Sequence, residues 1–216
     1  MVAMTTDGFA ARQAAQAAAF DAIGARYDDV FPHKDGQRDL TDRLLAELKP
    51  GAAVLDLGCG TGLPTARRLA DAGCAVTAAD ISPVMVDLAR ANVPEATVVV
   101  HDAVDVSALG VFDAIVAYFS LLMLPRAEIA GTLAELRAAL HPDGLLALGM
   151  VEADMDDVEV PFLGRPVRVS GFPRDELRRV VTGAGFAVLA EDVRSYAPAH
   201  PAAPPEVQLF VLARRV

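Results

Sequence analysis

One stretch restricts the fold of this chain more than any other: Val54-Leu55-Asp56-Leu57-Gly58-Cys59-Gly60-Thr61-Gly62. A short apolar run carrying an acid passes into three glycines at alternate positions, and a helical pattern opens at Pro64. In an open α/β sheet, such a strand–turn–helix corner is where ligands bind. Glycine reaches backbone conformations that a Cβ forbids, and it lets the main chain lie against a ligand. The dinucleotide fingerprint G-x-G-x-x-G fits only in part. Gly58 and Gly60 stand in place, but Leu63 holds the third position and the extra glycine comes early, at Gly62. A pyrophosphate favours a helix N-terminus free of carboxylates, and Asp56 lies inside this turn. The corner is predicted to suit a cationic ligand.

Around that corner, strands and helices alternate. Helices are predicted over Ala10–Arg26, with Phe20, Ile23 and Tyr27 on one face, and over Asp39–Leu48, with a loop at 28–36 between them. Strands follow at Ala53–Leu57, Ala75–Ala79, Thr97–Val100, Phe112–Ala117 and Leu145–Val151. Helices Pro64–Ala72, Pro83–Asn92 and Arg126–Leu140 fall between them, and His141-Pro142-Asp143-Gly144 reads as a turn. Strands apolar on both faces, alternating with helices, predict a parallel sheet covered on both sides. The last third changes character. Val158–Val169 reads as a small β excursion, Arg174–Thr182 as a helix, and Phe186–Leu189 as the start of a strand. A Pro-rich loop, Pro198–Pro205, leads to a final strand at Val207–Ala213. With no repeat and no long linker, the 216 residues read as one α/β domain. Its parts are an N-terminal helical region (1–50), an alternating half that holds the glycine corner (51–151) and a last part with the closing strands (152–216).

From about Tyr27 to Val216 the chain resembles the class I S-adenosylmethionine-dependent methyltransferases. The stretch from Val54 to Gly62 matches their first motif without a gap. The resemblance implies a Rossmann-like, seven-stranded, mostly parallel sheet with helices on both faces and an antiparallel last strand. It also implies S-adenosyl-L-methionine as cofactor and S-adenosyl-L-homocysteine as product. Further positions fall where the family expects them. Asp80 ends the second strand, where an acid accepts the ribose hydroxyls; Ser82 is the better helix cap before Pro83. Asp102 follows the third strand, where an acid lies near the adenine amino group and the N–H of Ala103 near the ring, with Ile81 and Met85 as apolar walls. Tyr118, at the exit of the fourth strand, faces the methionine part of the cofactor through its backbone. Asp56, Gly58, Cys59, Gly60 and Gly62 complete the cofactor set, Asp56 approaching the ammonium. Tyr27 and Phe31 belong to a lid over the cofactor or to plain helix packing. Phe119 lines the substrate or belongs to the core.

Composition removes several partners. Asp and Glu outnumber Lys and Arg 29 to 19, a net charge of −10. An acidic surface repels nucleic acid and forgoes the counterion release that drives such binding. The Asn/Asp-Pro-Pro-aromatic sequence of amino-methylating nucleic-acid enzymes is absent after the fourth strand. The longest apolar runs, such as Gly144–Val151, have strand length, short of the ~18 residues of a spanning helix. Two cysteines, Cys59 and Cys74, argue against a disulfide framework, and neither has a zinc-ligand partner at suitable spacing. The N-terminus lacks a secretion signal's charged start and apolar block. The expectation is a cytoplasmic monomer or homodimer that acts on a small molecule, with no metal, no nucleic acid and no membrane.

Methyl transfer is an in-line displacement, so a general base is needed only when the nucleophile arrives protonated. Of four histidines, His141 lies in a turn, His101 adjoins Asp102, and His200 lies in the Pro-rich loop. His33, in the lid loop, is the first candidate for a base. Glu152, Arg168 and Tyr196, with Phe31 and Phe119, are candidates for the substrate mouth. Methylation of oxygen is expected. The alternatives are a non-methylating member of the fold, in a pericyclic or regulatory role, and a nicotinamide-dependent dehydrogenase.

Overall fold

A computed structural model describes residues 6–198 and 205–216. Three helices open the chain: α1 (Thr6–Ile23), α2 (Arg26–Val30) and α3 (Asp35–Glu47). Then come β1 (Ala53–Leu57), α4 (Thr65–Asp71), β2 (Ala75–Asp80), α5 (Pro83–Asn92), β3 (Thr97–Val100), β4 (Phe112–Tyr118), α6 (Arg126–Ala138) and β5 (Leu140–Val151). A hairpin of β6 (Met155–Phe162) and β7 (Arg165–Gly171) stands outside the main sheet. The chain returns through α7 (Arg174–Gly183), β8 (Phe186–Tyr196) and β9 (Glu206–Arg215). Seven strands lie in the order β3-β2-β1-β4-β5-β9-β8. The first five run parallel, and β9 slots antiparallel between β5 and β8. The order reverses between β1 and β4, which is where an open sheet forms its ligand crevice.

Alternation of side chains splits the core in two. Leu55, Leu57, Ile115, Leu146, Leu148 and Val211 meet Ile129 and Leu133 of α6 and Leu177 and Val181 of α7. Val54, Val116, Leu145 and Leu212 meet α3 (Leu40, Leu44), α4 (Ala66, Leu69) and α5 (Val86, Ala89) on the other face. A third cluster, around Ile23, Val30, Phe31, Met85 and Leu163, joins the lid to α5 and the hairpin. No helix among the described residues is long and apolar enough to cross a membrane.

Four local expectations need correction. The 28–36 loop holds the short helix α2, whose first turn carries Asp28 and Asp29, favourable beside the positive helix N-terminus. Helix α3 begins at Asp35, not Asp39. Gly36 looks like a helix breaker but admits close packing, since a Cβ there would sit 2.3 Å from the Phe210 ring. His141–Gly144 is a bulge inside β5: the register passes from Phe112↔Leu140 to Ala114↔Leu145, and Asp143 takes φ 63°. Strand β8 continues through Glu191, Asp192 and Arg194 to Tyr196, because an edge strand tolerates charges on its open side. The calls on His200 and on most of the Pro-rich loop fall outside the described residues.

Candidate active site

Beyond Leu57 the chain turns through Gly58 (φ 75°), Gly60 (φ 54°) and Gly62 (φ 79°), conformations that L side chains rarely adopt. The three glycines serve different neighbours. A Cβ on Gly58 would lie 2.2 Å from Ser120 Cβ, so the exit of β4 packs directly on the turn. A Cβ on Gly62 would press on Val93 and Ala89, 3.0 and 3.4 Å away beside α5. A Cβ on Gly60 would meet nothing within 4 Å. The amides of Gly58 and Cys59 donate to Ala79 O at 2.7 and 3.0 Å, and that of Gly60 donates to Asp80 Oδ2 at 2.9 Å. The turn is thereby fixed to the end of β2 while Gly60 borders open space.

That space is a cavity of about 1000 Å³, running from the carboxyl ends of β1–β4 to the N-terminal helices and the hairpin. At its sheet end, Asp56 is 2% exposed and its Oδ2 has no hydrogen-bond partner. Burial, followed by the field of Asp80, pushes the Asp56 carboxyl up to about 7, against a hydrogen bond from the Ala66 backbone. Asp80 Oδ1 accepts from Ser82 N at 2.9 Å. Burial raises the Asp80 carboxyl too, opposed by the Ser82 and Gly60 amides. Ser120 Oγ, facing the turn, is likewise buried without a partner. Lys34 is the one Lys or Arg among the described lining residues, and it is tied to Asp28 at 2.5 Å and Leu63 O at 2.8 Å. Unpaired acids beside a glycine turn fit a ligand with a cationic end and hydroxyls, as S-adenosylmethionine has.

The cavity brings together most of the residues singled out from sequence. Tyr27, Phe31, His33, Asp56, Gly58, Cys59, Gly60, Asp80, Ile81, Met85, Asp102, Ala103, Tyr118, Phe119, Glu152 and Tyr196 all line it. Gly62 does not; it lies against α5 instead. Arg168 does not either: its guanidinium pairs with Asp157 at 2.9 Å. Glu152 reaches the lining but is paired with Arg174 at 2.6 Å, which lowers its carboxyl. Tyr118 exchanges a hydrogen bond with Thr41 Oγ1 at 3.2 Å, and burial raises its hydroxyl. Phe119 takes φ 56° and meets Phe210 edge-on, with centroids 5.7 Å apart. His33 is exposed at the rim. His101 is engaged with Asp105 O, and His141 lies outside the lining.

Sequence reasoning missed the polar face of α1. Gln13 Nε2 donates to both oxygens of Asp102 at 3.0 Å. Gln16 grips the main chain of Arg168, donating to its O at 2.8 Å and accepting from its N at 3.0 Å. Arg12 donates to Asp157 at 2.8 Å. Three buried polar residues at 12, 13 and 16 of an Ala-rich helix were the available signal: this helix docks through its polar side. Asp21 accepts from Ser82 Oγ at 2.5 Å, and Asp28 from Thr61 Oγ1 at 2.7 Å. Each loop after β1, β2 and β3 is thus held by the N-terminal segment.

Comparison with known proteins agrees with this geometry. A family model described as a methyltransferase domain matches residues 54–144. Magnesium-protoporphyrin O-methyltransferase of Rhodobacter capsulatus is 41% identical over 96 residues, 42% of each chain. Malonyl-[acyl-carrier protein] O-methyltransferase of Serratia marcescens is 30% identical over 154 residues, covering 69% of this chain and 58% of that one. The chain spans about half the length of the curated relatives it matches. A crystal structure of Burkholderia thailandensis 1,6-didemethyltoxoflavin-N1-methyltransferase superposes with TM-score 0.73 at 23% identity, covering 100% of this chain and 92% of that one. That protein is bound to 1,6-didemethyltoxoflavin and S-adenosylhomocysteine; the likeness to it is one of fold. By matched segment, residues 54–144 are a methyltransferase domain, and by sheet order and glycine turn the chain has the fold of the S-adenosylmethionine-dependent methyltransferases.

Proposed function

We propose that this protein transfers a methyl group from S-adenosylmethionine to a small molecule, on oxygen. The observation that carries the reading is the unpartnered, buried Asp56 oxygen beside a glycine turn whose cavity continues to the lid. When bound, the cofactor supplies an electrophilic methyl on a sulfonium, with a neutral thioether as leaving group. Asp80, its carboxylate fixed by two backbone amides, is set to accept ribose hydroxyls. Asp102 and Ala103, with Ile81 and Met85, border the space for adenine. Asp56 and the Gly58–Gly60 main chain would hold the amino-acid end. A pyrophosphate is opposed by the same acids, which disfavours a nicotinamide cofactor.

Lid and hairpin contribute alignment and dryness, and holding reactants in line is worth up to ~7–11 kcal/mol. His33, at the rim, takes the proton of a hydroxyl acceptor. The two cysteines are free thiols, which supports a cytoplasmic location. Release of S-adenosylhomocysteine, measured on an extract of small molecules with and without the protein, tests the reading. The expected result is release that depends on both extract and protein; tight cofactor binding with no release under any acceptor would favour a non-methylating role. His33→Ala is expected to lower turnover about 10²-fold or more, the usual share of a general base, with cofactor affinity unchanged. Full activity would remove it from the mechanism.

A further inference from the structure

One side of the cavity is walled by aromatic rings. Of nine Phe and three Tyr in a chain without Trp, five converge here: Phe20, Tyr27, Phe31, Phe162 and Tyr196. Phe31 is the hub. It stacks on Phe162 at 5.8 Å and 21°, stacks on Tyr196 at 6.1 Å and 19°, and lies 5.0 Å from Tyr27. These rings come from α1, α2, β6 and β8, so nothing in local sequence groups them. A wall of rings along one side of the cavity offers aromatic surface that favours a flat, polarizable guest.

Charge narrows the class further. Asp56, Asp80, Asp102, Glu152 and Glu206 line the cavity, against the already paired Lys34. The arginines nearby are also engaged: Arg12 and Arg168 with Asp157, Arg126 with Asp154, and Arg174 with Glu152. Among the described lining residues no Lys or Arg is left to meet a carboxylate or phosphate, since Lys34 is already paired with Asp28. Glu206 stands at the aromatic wall, where burial first and then its field raise the hydroxyls of both Tyr27 and Tyr196. Its Oε1 accepts from Gln208 Nε2 at 2.8 Å, and burial raises its own carboxyl.

Building on the methyltransferase reading, we propose that the acceptor is a flat aromatic molecule without negative charge. It packs against the ring wall that Phe31 and Phe162 build and presents an O–H or N–H to Glu206. A carboxylate or phosphate ester is excluded by the unbalanced acids. The test is a fluorescence titration of the full chain with 2-naphthol, 2-naphthoate and the saturated 2-decalol displacing it. It is run with and without S-adenosylhomocysteine, whose own binding is measured first by calorimetry. The naphthol should bind about tenfold or more tightly than either analogue, one lacking neutrality and the other flatness. Phe31→Leu and Phe162→Leu should each weaken naphthol by roughly three- to tenfold, the size of an aromatic pair. Both variants should keep wild-type circular dichroism and S-adenosylhomocysteine affinity. Equal binding of naphthoate or decalol, folded variants with unchanged naphthol affinity, or no naphthol binding would each overturn the proposal. Failure of S-adenosylhomocysteine to bind would instead strike the cofactor reading, and the series without it would still decide this one.

Discussion

At the carboxyl ends of β1–β4, the groups that face the cavity are set by backbone: Gly58 and Gly60 at positive φ and acids at or near strand ends. Across the cavity, the wall is made of side chains alone, carried by α1, α2, the hairpin and the tail of β8. The first region is written in consecutive residues, because a turn that needs φ > 0 must spell out its glycines in order. The second exists only after distant segments pack. The difference teaches that one wall of a cavity can be local in sequence while the wall facing it is wholly tertiary. Variants of one family can then change the wall while keeping the turn.

The largest expected effect breaks the turn. Gly58→Ala places a methyl at φ 75° against Ser120, where overpacking typically costs 1–3 kcal/mol and a left-handed Ala about 1 kcal/mol more. Urea unfolding should show a loss of roughly 2–4 kcal/mol by that sum. Gly60→Ala, with open space around it, should lose only the conformational part, about 1 kcal/mol. Equal losses at the two positions would deny the close packing of Ser120 on the turn.

Next comes the acid of β2. Asp80→Ala should weaken cofactor binding by ~1.5–3 kcal/mol, the scale of hydrogen bonds to a charged group. Unchanged affinity by calorimetry would remove the ribose role. Asp56 gives a pH dependence of similar size. Its carboxyl is pushed up to about 7, so it is protonated in the free protein below that pH. Only the ionised form attracts the cofactor's ammonium. Affinity should therefore be flat above about pH 7 and fall by up to tenfold per unit below it, and Asp56→Asn should flatten the profile. Stability moves oppositely: the folded state binds this proton more tightly than the unfolded chain. That contribution is present at low pH and lost as pH rises from 3.8 to about 7.

The smallest effect sharpens the lid. Gln13→Ala removes a donor from both oxygens of Asp102 and should speed cofactor dissociation by about threefold to tenfold, one modest hydrogen bond. Stopped-flow release of S-adenosylhomocysteine measures it, and an unchanged rate would mean that α1 is not a latch on this acid.

Much of the sheet side could be read from residues 53–151, since buried parallel strands and the helices between them follow from apolar runs and glycine stops. The lid could not. Periodicity put Phe20, Ile23 and Tyr27 on one face, yet α1 docks equally through Arg12, Gln13 and Gln16, whose partners are 89 to 156 residues away. Arg168 shows the converse: a charge that sequence offered to a substrate is consumed by Asp157, and its main chain by Gln16. The bulge at His141–Gly144 was mistaken for a turn because Pro, Asp and Gly mark both, and only the pairing partner Phe112 tells them apart.

Parallel calorimetric titrations with S-adenosylmethionine and NAD⁺ test the central claim most directly. The account predicts a single S-adenosylmethionine site per chain, with NAD⁺ giving no heat of binding. A chain that bound NAD⁺ the more tightly, or took up neither nucleotide, would contradict it.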